Sequence, residues 1–176
     1  MIVERVKAAK RDSVTLSTLG TELKNAALEN MAAALDARRE EVLEANSEDV
    51  AATTGLPGNM VKRLEVDNHK IDGMVAGIRS VMSLADPVGE TLSAMELDEG
   101  LVLYKIGCPI GVIGVIFESR PDVVPQIMSL GLKSGNAVIF KGGSEAANSN
   151  KVLFDILSSA AISSGVPAGA FVLMES

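Results

Sequence analysis

Tryptophan is absent from the 176 residues, and tyrosine, histidine and cysteine occur once each, as Tyr104, His69 and Cys108. With only four phenylalanines besides, the stacking platforms on which bases or sugars sit are mostly missing. One histidine rules out a multi-histidine metal site and a Ser-His-Asp triad, and any side-chain metal site would rest on carboxylates alone, so none is expected. A single cysteine forms no internal disulfide, and nothing else points to export. No apolar run reaches the roughly 18 residues that a membrane span needs. The opening Met1-Ile2-Val3-Glu4-Arg5 runs straight into charged, helix-like sequence without the apolar core of a signal peptide, so a cytoplasmic chain is expected. Positive charge is also in short supply. The formal net charge is −7, which supplies no general pull toward nucleic acid or anionic lipid. Apolar residues are abundant at 47%, enough for a domain with a real core and too many for a disordered regulator.

Periodicity divides the chain. From Thr21 to Ala37, Leu23, Ala26, Ala27, Met31, Ala34 and Leu35 recur at helical steps and form one apolar stripe. Arg38, Arg39, Glu40, Glu41 and Glu44 alternate in sign around Val42 and Leu43, a solvated face of a second helical stretch. Ser47 is an expected N-cap for a further short helix through Ala52, and Thr54-Gly55-Leu56-Pro57-Gly58 is a break. Asp67 or Asn68 caps the next helix, which carries Ile71, Met74, Val75, Ile78, Val81 and Met82 and ends at Asp86-Pro87. Residues 88–95 and 101–106 then read as a β-hairpin around Glu96-Leu97-Asp98-Glu99-Gly100. The apolar run 110–117 reads as a parallel strand buried on both faces. A helix from Pro121 to Ser134, a strand at 137–140, a helix closed by Gly165 and Pro167, and a strand at 171–174 complete the pattern. The fold class expected is α/β, with N-terminal helices and a β-hairpin leading into the first part of a doubly wound parallel sheet. The methionines, Met74 and Met82 among them, read as core fillers.

Two loops carry the candidate chemistry. Lys141-Gly142-Gly143-Ser144-Glu145 joins the second parallel strand to the last helix, where ligands of open α/β sheets bind. Its glycines admit close backbone approach, Ser144 can cap the helix, the helix N-terminus offers free N–H groups, and Lys141 suits a ribose hydroxyl or a phosphate. The same residues also suit a plain tight turn with a solvated lysine. Phe117-Glu118-Ser119-Arg120-Pro121-Asp122 follows the first parallel strand; there Arg120 can hold a carboxylate or phosphate, or can simply pair with Asp122. Gly111 and Gly114 lie within a strand pattern, not in a G-x-G-x-x-G loop, and suggest close backbone approach or a bulge. Cys108, between Gly107 and Pro109, lacks the base or positive surroundings of a catalytic thiol and reads as structural; His69 reads as a surface residue at a helix start.

The stretches Pro109–Val123, Leu132–Ile139 and Lys141–Ala146 closely resemble the gamma-glutamyl phosphate reductase family of the aldehyde dehydrogenase superfamily. Val42-Leu43-Glu44-Ala45-Asn46, Arg63-Leu64 and Asp86-Pro87-Val88-Gly89-Glu90 are similar to it too, so the resemblance covers nearly the whole chain. It implies NADPH-dependent reduction of L-glutamyl 5-phosphate to L-glutamate 5-semialdehyde with release of phosphate, a step of proline biosynthesis. It implies a cofactor site for NADP at Lys141, Gly142, Gly143, Ser144, Glu145, Phe117 and Glu118. Within it Lys141 holds the adenosine ribose, and Ser144 with the helix N–H groups contacts a 2′-phosphate. Many relatives place an oxyanion-holding asparagine after the first strand; here the sequence reads Glu-Ser-Arg-Pro, and Ser119 or Arg120 is the expected substrate contact. The resemblance further implies homo-oligomerisation through the hairpin and suggests glutamate 5-kinase as a partner. Residues 1–87 are then the N-terminal helical segment of the cofactor-binding domain, 88–108 the oligomerisation hairpin, and 109–176 the first part of the NADP-binding domain. The nucleophilic cysteine of the family is expected downstream of this chain, which on this reading is inactive alone. Another acyl-reducing aldehyde dehydrogenase relative, or a catalytically dead interaction module on the same fold, are the alternatives.

Overall fold

Helices come first, wherever apolar side chains recur every three or four residues. The computed structural model describes residues 2–53 and 57–174. Its helices α1 (Ile2–Leu16), α2 (Thr21–Ala37), α3 (Arg39–Ala52), α4 (Gly58–Leu64) and α5 (Asn68–Met82) precede a hairpin of β1 (Thr91–Asp98) and β2 (Leu101–Ile106). Strand β3 (Val112–Ile116), helix α6 (Val123–Lys133), strand β4 (Ala137–Lys141), helix α7 (Ala147–Ser163) and strand β5 (Phe171–Met174) follow. A 3-10 turn, Ser144–Ala146, stands between β4 and α7.

The three later strands form a parallel sheet in the order β3-β4-β5, with Val112 opposite Ala137 and Val138 opposite Phe171. Right-handed crossovers put α6 and α7 on one face of such a sheet. Helix α1 packs against β4 and β5 from the other face, which is why β4 is almost wholly buried. Helices α2, α3 and α5 form an outer layer over α6 and α7. Leu28, Met31, Leu35, Ile71, Ile78, Met128, Leu132, Phe140, Leu153 and Leu157 meet in one core. Each fully buried side chain of this size contributes about 1.5–3 kcal/mol of transfer free energy. Asp67 caps α5 by accepting from the Lys70 N–H at 2.7 Å. Gly165, at φ +99°, lets the chain leave α7 in a conformation costly for any side-chain-bearing residue, as its place before Pro167 suggested.

Several expectations need correction. Helix α3 runs unbroken through Ser47, so that serine caps nothing; its turn is held by the residues on either side, which bury Ala45, Asn46 and Asp49. Of the expected break, Thr54, Gly55 and Leu56 lie outside the described residues, and Pro57 introduces the unforeseen helix α4. Strand β3 is not buried on both faces. It is one of the two edge strands of the described sheet, and Ile116 at its end and Ile110 just before it are 86% and 83% exposed. Gly111 precedes β3 with φ +117°, while a Cβ at Gly114 would meet open space, so no close approach requires that glycine. On α2 the buried face is turned from the expected stripe: Lys24, Leu28 and Ala32 are buried and Ala26 is exposed. Packing on both α5 and α7 widens that face. Cys108 is exposed and fills no core, and Met95 lies exposed on the hairpin.

Among the described residues, no helix is long and apolar enough to cross a membrane.

Candidate functional site

The carboxyl end of the sheet gathers the expected residues of both loops. Lys141 ends β4 between Ile116 of β3 and Met174 of β5. The Phe117 N–H donates to the Lys141 carbonyl at 3.1 Å, which fastens the loop after β3 to the glycine turn. The turn is tight at Gly142, whereas at Gly143 only the flexible tip of Glu145 stands in the way. A Cβ on Gly142 would lie 2.5 Å from Asn150 Nδ2 and 3.2 Å from the Phe117 ring. One on Gly143 would lie 2.3 Å from Glu145 Oε2 and 3.7 Å from the Glu118 Cα. Phe117 in turn meets Phe140 edge-on, with ring centroids 6.4 Å apart, so the core anchors the loop. Lys141, Gly142, Gly143, Glu145, Phe117 and Glu118 are thus brought together; Ser144 stands beside them, exposed, on the 3-10 turn.

Polar atoms left without partners mark this end of the molecule. Among the described residues, the buried side-chain atoms that make no hydrogen bond are Ser119 Oγ, Glu145 Oε2 and Asn150 Oδ1. Ser119 and Asn150 are each 3% exposed. Leaving a buried acceptor or donor unsatisfied costs about 1–3 kcal/mol, so native proteins keep few of them. All of these flank the same two loops. Asn150 was not singled out in the sequence; the available signal was a polar residue one turn ahead of Leu153 on a helix face that is otherwise apolar.

The helix N-terminus behind the turn differs from expectation. Ser144 makes no capping hydrogen bond, and α7 begins three residues later, at Ala147. Its cap comes from another helix. Asp49 on α3 accepts from the Asn148 N–H at 3.2 Å, the Ser149 N–H at 2.8 Å and the Ser149 hydroxyl at 2.6 Å. A carboxylate already sits where the helix dipole and free N–H groups would attract an anion, so those two amides are not open to a phosphate. Nothing local in the sequence announces this partnership across 99 residues.

The other loop shows the pairing that its sequence allowed: Arg120 reaches Asp122 at 3.1 Å. Asp122 also accepts from Gln126 at 3.1 Å. Among the described residues, cavities open around these loops. A small one of about 150 Å³ lies between Gly142, Gly143, Asn150 and Met174, and one of about 400 Å³ between Asp49, Thr53, Ser144 and Glu145. A third of about 480 Å³ sits at the end of β3 against Phe117, Glu118, Ser119 and Arg120. The largest, about 750 Å³, is a groove between α5 and α6 that sequence reading did not foresee. His69, as expected, is exposed near the start of α5, and it lines that groove.

Comparison with known proteins identifies the family and the fold. The model of the family described as "Aldehyde dehydrogenase family" matches residues 2–176. A gamma-glutamyl phosphate reductase from Methanosarcina barkeri is 58% identical over 99% of this chain and 40% of its own length. The chain therefore spans about two fifths of the length of such curated relatives. The crystal structure of gamma-glutamyl phosphate reductase from Thermotoga maritima superposes with a TM-score of 0.93 at 36% identity, over 98% of this chain and 42% of that one. At the level of fold alone, the crystal structure of PnpE in complex with nicotinamide adenine dinucleotide gives a TM-score of 0.75 at 23% identity, covering 97% of this chain and 32% of that one.

Proposed function

Because this chain belongs to the aldehyde dehydrogenase family, we propose that it is the cofactor-binding N-terminal part of a gamma-glutamyl phosphate reductase. The reaction is the NADPH-dependent reduction of L-glutamyl 5-phosphate to L-glutamate 5-semialdehyde, with release of phosphate, in proline biosynthesis. On this reading the nucleophilic cysteine belongs to a catalytic domain downstream of the chain.

The observation that carries the reading is the cluster of orphaned polar atoms around a side-chain-free glycine turn at the carboxyl end of a parallel sheet. Ligands of open α/β sheets bind at that place, and a dinucleotide fits the donors available there. When bound, NADPH would supply hydride to the acyl carbon. Lys141 holds a ribose hydroxyl or phosphate oxygen by charge-assisted hydrogen bonding, and Gly142 and Gly143 let the backbone approach. The Ser144 hydroxyl, exposed beside them, is the remaining contact for a 2′-phosphate once Asp49 has claimed the α7 amides. Glu118 and Glu145 set the acidic side of the site. Ser119 offers its buried hydroxyl toward the substrate.

The hairpin supports assembly into a homo-oligomer. Leu92, Met95, Leu97, Leu101, Val102, Leu103, Tyr104 and Ile106 are all exposed on it. A two-stranded ribbon is marginal in water by itself, and apolar side chains on both of its faces favour a covering partner.

Two measurements test the proposal. The product of the natural gene, sized in its source cells with an antibody against this chain, is expected at more than twice the mass of the 176 residues. A product of this chain's own mass would favour a binding module that keeps half a cofactor fold. The polypeptide so identified should reduce NADP with glutamate 5-semialdehyde only when phosphate is present, and Lys141→Ala should weaken NADPH binding about tenfold, the worth of one charge-assisted contact. Absence of phosphate-dependent NADP reduction would sink the reductase reading.

A further inference from the structure

The groove between α5 and α6 concentrates positive charge on a chain whose net charge is −7. Lys62, Arg63, Lys70 and Arg120 face it, against the carboxylates of Glu65 and Asp122, with His69 at its edge. Two of these four cations are already engaged, and the Lys62 ammonium, like Arg63, has no partner among the described residues. Lys70 donates to the Lys62 carbonyl at 2.9 Å and to the Glu65 carbonyl, and Arg120 pairs with Asp122. Arg63 makes no hydrogen bond or ion pair among the described residues. It also lines the neighbouring cavity at the end of β3, together with Glu118, Ser119 and Arg120. Arg63 and Arg120 are shared by both spaces, so the groove and the β3 cavity meet at these two guanidinium groups.

The scaffold fixes the backbone beside Arg63. Leu64, its neighbour at the end of α4, is fully buried, and the Leu64 carbonyl accepts from Asn46 Nδ2 at 2.9 Å. Asn46 Oδ1 accepts from the Val66 N–H at 2.7 Å, and Nδ2 also donates to the Ser149 hydroxyl at 3.0 Å. Thus one buried asparagine on α3 clamps the chain on either side of Glu65, just after α4, and ties it to α7. The Ser119 hydroxyl, buried without a partner, lines the β3 cavity beside Arg63.

We propose that Arg63 is an oxyanion-reading residue: it seats the carboxylate or phosphoryl group of a small acidic acyl substrate where the α5–α6 groove meets the β3 cavity, with the Ser119 hydroxyl donating to the same molecule. The planar guanidinium fork matches both oxyanions with two parallel hydrogen bonds, and a groove rich in one sign of charge draws such a ligand in. The acyl substrate's identity rests on the reductase reading; the seat rests on the side chains alone.

The test uses the polypeptide as its gene encodes it, with Arg63→Gln and Arg63→Lys. Both changes fall on an exposed side chain, so the melting temperature should hold. L-Glutamate and inorganic phosphate are titrated separately by NMR. Arg63→Gln should weaken one of them about tenfold or more, with Arg63→Lys recovering part of the loss and NADPH affinity unchanged. Loss for L-glutamate identifies a carboxylate seat, and loss for phosphate a phosphoryl seat. In the assay, KM for glutamate 5-semialdehyde or phosphate should rise with kcat little altered, as for a contact made equally in ground and transition states. Wild-type protein that binds neither anion, or an Arg63→Gln protein that binds both as wild type does, overturns the proposal. Reductase activity with an unchanged KM removes the seat and keeps the reductase. Arginine-dependent anion binding without reductase activity does the reverse.

Discussion

Asp49→Ala is expected to lower folding stability by about 3–4 kcal/mol. The side chain is 4% exposed and its two oxygens take three hydrogen bonds from the first turn of α7. Removing an ordinary N-cap costs about 1 kcal/mol and at most about 2. Here the loss is larger because Ser149 is fully buried, so its N–H and hydroxyl are left without an acceptor in a place water does not reach. The positive end of the α7 dipole also loses its counter-charge. Asp49→Asn keeps an acceptor oxygen without the charge and should show about half the effect. Urea unfolding with an unchanged slope would measure both. A loss for the alanine variant under 1 kcal/mol would mean that water reaches the α7 terminus and that α3 does not hold it. The same cap sets the height of α7 against the glycine turn, so the cradle of Gly142 and Asn150 depends on a residue of the N-terminal helices.

Lys24→Ala is expected to cost a similar amount, about 3–4 kcal/mol, and to change how stability depends on pH. Lys24 is completely buried, and its ammonium donates to the Asp86 carboxylate at 2.9 and 3.1 Å. A third contact reaches the Lys133 carbonyl at 3.4 Å. Removing one partner of a buried pair typically costs 3–5 kcal/mol, about what uncompensated charge demands. Burial on its own pushes the Asp86 carboxyl upward, but the Val88 N–H, the Lys24 ammonium and the Thr21 hydroxyl together outweigh it and hold the group below its ordinary value of 3.8. A carboxylate held low in the folded state stabilises fully above its unfolded value, and that contribution disappears as pH falls through the folded value. Wild type should therefore lose stability in acid below about pH 4, and the gap between it and Lys24→Ala should narrow there. Unfolding curves at pH 7 and pH 3 check this; equal gaps at both would show that the pair does not carry the effect. Asp86 also accepts from Val88 at the root of the hairpin, so loosening the pair should free the β1–β2 ribbon that carries the exposed apolar side chains.

Both residues show where sequence reading stops. Asp49 falls within the short helix expected after Ser47 and drew no reading of its own, and Lys24 interrupts an apolar stripe that closes without it when Leu23 and Ala26 are counted instead. Each is fixed by a partner 62 or more residues away, and periodicity carries no information about such partners. The exposure of Ile116 was equally invisible, because an apolar run looks the same in a central strand and at an edge. The candidate site divided in the same way. The Lys141–Glu145 turn stood out because a glycine pair after an apolar strand suits a ligand as well as a plain turn, while Phe117 and Glu118 entered through the family resemblance. Asn150 and Arg63 did not stand out, because their significance lies in missing partners and shared cavities.

The sequence by itself determined the order of most helices and of the strands, α4 excepted, together with the hairpin, the parallel pairing of the later strands and the place of the glycine turn. Those follow from local geometry, 3.6-residue and two-residue periods, and residues that stop one or the other. Only the tertiary structure decided which charges are buried, which carboxylate closes the last helix and which arginine faces two cavities at once. Those outcomes depend on desolvation, and desolvation is a property of what packs against a residue, not of its neighbours along the chain.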